Sequence, residues 1–417
     1  MRLVGHDVVC ISVMDWDHPF QSSRHHLMRE LSARNRVLFV DASTNPVDAW
    51  RGRAEARFQR KLQAWQGQDN PRQVASNLWV WTPPPVLPMG QVKPTVLFEP
   101  LYQLNQVALR QGLKRVAKQL SIHEPILWIS FDVLMSEGAI GALDEQLLVY
   151  HCTDEITALP GISPHAGRIE RRLLSKADLT FTSSPALYEG KSPHAKHCVM
   201  VPNGVDFELF NQAVHPETTI PVDIARLPRP IIGFSGNLEE RFDVELWTWL
   251  AKARPNWSFV AIGPIAPSRQ AEIAAIQLPN CHFLGLRPRS AMPGYLKAFD
   301  VATIPFVYTE QTRHIYPLKV NEYLAAGKPV VMTDFAPLAD LEGMASAASD
   351  RHAFLAALDQ ALSPSLRESV ERIKRAQAHC WEARCQQMES EILSMLTTKA
   401  KATPIPLGAE RIVRRGF

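Results

Sequence analysis

The sequence predicts an α/β protein of two doubly wound, parallel-sheet domains, and three observations carry that expectation. Short apolar runs alternate with helix-length amphipathic segments, the pattern of parallel strands joined by helical crossovers. The series breaks once, at a Pro-rich stretch over residues 215–230 with little periodicity, and then begins again. The chain has 417 residues, 46% of them hydrophobic, enough to bury more than one core. At about 150 residues per domain that length corresponds to two or three domains.

The first strand is expected over residues 8–14, an apolar run closed by Asp15-Trp16-Asp17-His18-Pro19. It is far shorter than the ~20 residues of a membrane span and lacks a small-residue cleavage site, so it is a buried strand and not a signal peptide. Further strands are expected over 36–41, 77–81, 126–130, 147–151, 179–182 and 198–201, with helices between them. The clearest helix spans 168–177, with Ile169, Leu173 and Leu174 on one face and Arg168, Arg171, Arg172 and Lys176 on the other. After the linker, strands follow over 231–235, 258–262, 282–284, 301–304 and 330–333, and a last helix over 380–396. The expected division is residues 1–205, then 206–377, with a crossover helix over 378–397 and a basic tail over 398–417 whose composition is that of a disordered segment.

Composition narrows the function. With 45 Lys+Arg against 42 Asp+Glu the net charge is +3, which excludes a globally basic nucleic-acid coat, and no nucleic-acid partner is expected. Glycine, at 20 residues, falls below the usual ~7%, which argues against a glycine-rich phosphate loop. No GxGxxG, Walker A, GxSxG or HExxH sequence occurs, so nicotinamide or flavin, P-loop, serine-hydrolase and zincin chemistry lose support. The six cysteines form no CxxC pair, which argues against a zinc module or a disulfide framework and fits reduced thiols in the cytoplasm.

Ligands of open parallel sheets bind beyond the carboxyl ends of the strands, so the loops there hold the candidates. Arg313 through Val331 is the richest: Pro317 suits the first position of a helix about ten residues long, and Gly327 with Pro329 ends it. Its N-terminus suits a diphosphate, Leu318 and Lys319 lie in the first turn, and Glu322 is placed to accept from a ribose diol. The same residues also fit an ordinary amphipathic helix with solvated Lys and Glu. After residues 231–235, Gly236 permits close backbone approach, Asn237 follows it, and Arg241 can clamp phosphate, although a mixed-charge surface turn would look alike. In the first loop Ser22 or Ser23 is a helix N-cap, which places Arg24 and His25 in the first turn for phosphate contact or proton transfer, or simply at an exposed helix start. Strand 147–151 ends in Asp154 and Glu155, where Asp154 can bind a sugar, take a proton or cap a helix. No metal-binding cluster is evident, and no DxD metal-binding triplet stands in a suitable loop.

Together these segments resemble the nucleotide-sugar-dependent glycosyltransferases of the GT-B fold, specifically the retaining family-four group and its members similar to teichuronic acid biosynthesis glycosyltransferases. Val201-Pro202-Asn203-Gly204-Val205-Asp206 with Phe210 is similar to the family's domain junction, and Glu322 through Val331 to its donor helix. Trp257 through Pro264, and Phe283-Leu284-Gly285 with Phe299 through Phe306, support the match. The resemblance implies two Rossmann-like domains facing a cleft, with a C-terminal helix crossing back to the first. It implies that the second domain binds a nucleoside-diphosphate sugar through Gly236, Asn237, Arg241, Leu318, Lys319 and Glu322, that the first binds a glycan or lipid-linked acceptor, and that no cofactor is needed; Lys319, together with Asp154 and His25 from the first-domain loops, makes up the catalytic candidates. Glu322 matches the second carboxylate of the family's paired-glutamate motif, whereas His314 stands where the first is usual. The implied reaction is retaining sugar transfer in surface polysaccharide synthesis. A sugar-nucleotide epimerase, or a non-catalytic partner in polysaccharide assembly, are the alternatives. Trp50 through Trp65 combines five cations with Trp50, Phe58, Leu62 and Trp65, so peripheral contact with the inner face of the membrane is expected, against an ordinary helix with inward aromatics.

Overall fold

The structure, a computed structural model, describes residues 1–336, 341–363 and 365–402. Two sheets organise it. The first contains β1 (Asp7–Ser12), β2 (Arg36–Val40), β3 (Arg72–Ala75), β4 (Leu78–Trp81), β5 (Ile126–Ser130), β6 (Leu147–Cys152), β7 (Leu179–Thr182) and β8 (Cys198–Met200), in the order β3-β4-β2-β1-β5-β6-β7-β8. The second contains β9 (Ile231–Ser235), β10 (Ser258–Ile262), β11 (Cys281–Gly285), β12 (Val301–Ile304), β13 (Val330–Thr333) and β14 (Ala345–Ala348), in the order β11-β10-β9-β12-β13-β14. Among the described residues all pairings between these strands are parallel except the β3–β4 edge. Central strands are apolar along their whole length because helices cover both faces: every residue of β5, β9 and β10 is buried.

The chain order reverses at β1, which lies between β2 and β5, and at β9, which lies between β10 and β12. At such a switch the loops leaving neighbouring strands diverge to opposite faces and open a crevice. The two crevices face one another, so the loops after β1 and β9 line one cleft.

The strands expected from apolar runs are present within two residues of their expected ends. Two were missed, β3 and β14. The helix expected over 168–177 is Ala166–Lys176. Pro317 occupies the N-cap and not the first helical position, and the helix it opens is Leu318–Ala325, eight residues and not ten. The helix expected over 378–397 is Trp381–Ala402, so residues 398–402 of the expected irregular tail are helical, and 403–417 lie outside the described residues.

Among the described residues the chain crosses between the sheets twice, side by side. The Val205 amide donates to the His379 carbonyl (3.2 Å) and the Trp381 amide to the Val205 carbonyl (3.1 Å). A Cβ on Gly204 would come within 2.8 Å of the Trp381 ring. Beyond this point the last helix buries Trp381, Cys385, Met388 and Ile392 in the core of the first sheet. Its Glu389, fully buried, pairs with Arg2 and Arg34, each at 3.3 Å.

Candidate active site

The cleft between the two sheets has a volume of about 800 Å³, within the usual range for small-molecule sites. One wall comes from the second sheet. There Ser235 ends β9, its amide donating to the Tyr323 hydroxyl at 2.9 Å, which ties the strand end to the Leu318–Ala325 helix. Gly236 donates its amide to Ile262 (2.8 Å), and a side chain on it would press on Phe234 at 2.9 Å and approach Lys319. Gly263, at φ +148°, lies so close that a Cβ would fall 1.9 Å from the Gly236 carbonyl oxygen. These two glycines let the strand-end loops close under the helix N-terminus.

Gly236, Asn237, Arg241, Leu318, Lys319 and Glu322 all line the cleft, so the structure brings the sequence-derived donor set together. It also shows how their charges are arranged. Lys319 Nζ pairs with Glu322 at 3.0 Å, and the Arg241 guanidinium pairs with Glu239 and lies 5.7 Å from the Phe306 ring centroid. Leu318 packs partly against the core of the first sheet, so the first turn of this helix also joins the two domains.

The junction expected at residues 201–206 lies directly beneath that helix. Asn203 Nδ2 donates to the Tyr316 carbonyl and Asn321 Nδ2 to the Asn203 carbonyl, both at 2.8 Å. His314, at the position of the family's first glutamate, is turned away from the cleft: its ring contacts the Glu310 carbonyl at 2.7 Å, and its own carbonyl accepts from Ser184.

The opposite wall comes from the first sheet. Ser22 is the N-cap of the Ser23–Ser32 helix, and Ser22, Ser23 and Arg24 line the cleft. Asp154 lines it too, after β6. Burial pushes the Asp154 carboxyl up, against the Thr153 hydroxyl (3.1 Å), Arg24 and Arg241, which favour its ionised form. Asp154 is not a helix cap; the neighbouring Glu155 accepts from the Thr157 amide and pairs with Lys191 at 2.7 Å.

His25 is a correction. It is fully buried, lies outside the cleft lining, and has both ring nitrogens engaged: Nδ1 accepts from the Ser22 amide at 3.1 Å and Nε2 donates to the Asp15 carbonyl at 3.0 Å. Its ring stacks on Phe39. Burial pulls its pKa to about 4, so it is a neutral fastener of the loop and not a proton carrier to the cleft.

Sequence reading passed over Arg289, which follows β11 and lines the cleft, donating to Asp206 (3.1 Å) and to the ring of His26 (3.2 Å). The strand-end rule that picked the other loops would have found it. Among the described residues no cluster of three or more His, Cys, Asp or Glu could hold a metal ion, and no helix is long and apolar enough to cross a membrane.

The expected membrane segment is two helices, Pro46–Arg51 and Ala56–Trp65. Lys61 is buried against Asp15 (2.7 Å), Arg60 pairs with Asp17 (3.0 Å) and Arg57 with Glu55 (2.8 Å). Trp65 donates its indole N–H to Pro83. Trp50, Arg51 and Arg53 remain exposed.

Residues 229–364 match the family model described as "Glycosyl transferases group 1", so the second domain carries a glycosyltransferase domain. Over 228 residues, 50% of the chain, it is 27% identical to TuaH of Bacillus subtilis (strain 168), named as a teichuronic acid biosynthesis glycosyltransferase, and it spans about half the length of that relative (55%). A sucrose-phosphate synthase from Thermosynechococcus elongatus superimposes with a TM-score of 0.68 at 16% identity, over 94% of this chain and 100% of that one. A trehalose 6-phosphate synthase from Burkholderia multivorans gives 0.66 at 14% identity, over 96% and 100%. Anabaena HepE, solved with UDP and glucose, gives 0.61 at 15% identity, over 93% and 100%. The fold is GT-B.

Proposed function

We propose that this protein transfers a sugar from a nucleoside-diphosphate sugar to an acceptor hydroxyl, with retention at the anomeric carbon, in the synthesis of a bacterial surface polysaccharide. The observation that carries this reading is the convergence on one cleft of a helix N-terminus bearing Lys319 and Glu322, the Gly236–Arg241 loop, and Asp154 in the facing wall. The free amides at the start of the Leu318–Ala325 helix, with Lys319 and Arg241, hold the diphosphate and stabilise the charge that grows on it as it leaves. Glu322 accepts hydrogen bonds from the ribose. Asp154 orients the acceptor hydroxyl, which attacks the anomeric carbon from the face the diphosphate leaves and passes its proton to the departing diphosphate oxygen, in a cleft shielded from water. The reaction calls on no cofactor. HepE, with its UDP and glucose, supports the donor class, and the name of TuaH supports the polymer.

The acceptor is a glycan or a lipid-linked glycan, and the protein works at the inner face of the membrane, touching it through Trp50, Arg51 and Arg53. Co-sedimentation with anionic vesicles at low salt tests that contact, and a protein that stays in the supernatant removes it.

The experiment for the main reading is a thermal-shift screen of nucleoside-diphosphate sugars. A donor at 100 times its dissociation constant is expected to stabilise the protein by about 2.7 kcal/mol. Product analysis of the best donor then decides the reaction: a glycosylated acceptor supports transfer, and an epimerised donor replaces it. If no donor stabilises the protein, a non-catalytic partner is the surviving account.

A further inference from the structure

Arg24 differs from the other cations of the cleft. It is only 5% exposed, and its Nε donates to the Ser130 hydroxyl at 3.2 Å. Among the described residues its two terminal nitrogens meet no acceptor and no carboxylate lies within ion-pair distance, whereas Arg241, Lys319 and Arg289 are paired with Glu239, Glu322 and Asp206. A guanidinium withdrawn from water and left without an anion is costly. The side chain lines the cleft, so its missing partner can arrive only from there.

The surroundings fit the same demand. The amides of Ser23 and Arg24 are the first two of their ten-residue helix and donate to no group of the described chain, so they add two N–H donors and the positive end of the helix dipole. The Ser23 hydroxyl lines the cleft beside them. Asp154 and Asp132 act on Arg24 through space but form no ion pair with it, and burial pushes both carboxyls up, Asp132 to about 7. A planar fork of donors with two amides at a helix start matches the oxygens of a phosphoryl group.

We propose that the first-domain wall holds an anion site, built from Arg24 and the amides of Ser23 and Arg24, that takes a phosphoryl group of the acceptor. This rests on the transferase reading and deepens it: the acceptor is a phosphorylated molecule whose hydroxyl is presented beside Asp154. The donor's diphosphate is the other source of the same chemistry. Its own cations and helix start lie in the opposite wall.

Calorimetry on the intact protein separates the two, with methyl phosphate as the probe and a panel of nucleoside diphosphates as competitors. Methyl phosphate is expected to bind protein already saturated with nucleoside diphosphate. Arg24→Gln is expected to weaken that binding about tenfold or more, with Arg24→Lys intermediate and nucleoside diphosphate affinity within about twofold of the parent. Ser23→Pro removes one amide at a position where proline is tolerated, and is expected to cost about threefold, so the site can still be tested if the Arg24 variants fail to fold. Methyl phosphate affinity unchanged in these variants would overturn the site. Full competition by nucleoside diphosphate, or a tenfold loss of nucleoside diphosphate affinity in Arg24→Gln, reassigns Arg24 to the donor and overturns the acceptor claim. If no nucleoside diphosphate binds at all, the transferase reading falls by itself, and loss of methyl phosphate in Arg24→Gln would leave an anion site without its acceptor role.

Discussion

The two walls of the cleft carry similar residues in opposite electrostatic states. In the second-domain wall every cation named here has a carboxylate beside it: Lys319 with Glu322, Arg241 with Glu239, Arg289 with Asp206. In the first-domain wall Arg24 forms no ion pair, and burial pushes up the carboxyl of Asp154 in the same wall. The difference teaches how each wall meets a ligand. Partly exposed ion pairs such as those of the second wall are worth only about 0–1 kcal/mol, so a diphosphate can take over Lys319 and Arg241 at little cost. The first wall has no such pair to exchange and gains a partner outright.

Variants can break or sharpen this contrast. The largest effect is expected from Lys319→Ala, which removes a cation whose value rises as the diphosphate leaves: turnover falls about 10²–10³-fold, while free nucleoside diphosphate binds less than about tenfold more weakly. Parallel losses in steady-state turnover and in calorimetric affinity would place Lys319 in ground-state binding only. Next, Asp154→Asn is expected to lower turnover about 100-fold with donor affinity unchanged, since its carboxyl belongs to the acceptor wall. A matching loss of donor affinity would erase the division between the walls.

Glu322→Ala is expected to act mainly on donor affinity, by about 1.5 kcal/mol, the low end for bonds to a charged group, because the same change releases Lys319 toward the diphosphate. Titration of nucleoside diphosphate against the variant measures this. Glu239→Gln frees Arg241 without removing it, so nucleoside diphosphate should bind about two- to fivefold more tightly. Unchanged binding would mean that Arg241 does not reach the donor.

An effect on stability alone, outside the donor and acceptor chemistry, concerns His25, which fastens the loop before Arg24. Its pKa is depressed by burial from 6.5 to about 4, so between those values the unfolded chain binds the proton and the native one does not. Its contribution to stability is therefore fully present above pH 6.5 and is lost as pH falls through 4. His25→Gln is expected to flatten the stability profile between pH 6 and 5 by up to about 1.4 kcal/mol per pH unit, read from urea denaturation at each pH. An unchanged slope would contradict a neutral, buried His25.

The fold was legible where burial on both faces forces continuous apolar runs, as in Ile231–Ser235 and Ile126–Ser130. It was illegible at the edges. The antiparallel strand Arg72–Ala75 has polar residues and alternate exposure, and Ala345–Ala348 is built from alanine and serine, which carry little strand preference. The candidate site was legible at the level of loops and helix starts, because Gly236, Arg241 and Asp154 follow strand ends and Lys319 lies in the first turn of the helix that Pro317 opens. Side-chain direction was not: Arg24 and His25 are adjacent in one helical turn, yet Arg24 points to the cleft and His25 folds back on its own cap. The Arg289–His26 contact joins residues far apart in the chain, and local spacing carries no sign of it.

The paired crossings at Val205 and Cys380 have a mechanical consequence. Two covalent connections lying side by side have the geometry of a hinge pin, which would allow a swing of one half about them but resist a slide of one half past the other. Any such swing changes the gap most at the loops farthest from the pin and least at Asn203, which sits on it and is bonded to Tyr316 and Asn321. The Leu318–Ala325 helix is thus mounted next to the axle, where such a swing would change its aim least. The ring of Trp381 against Gly204 leaves no slack there, and even one methyl group added at residue 204 would act as a wedge in the bearing.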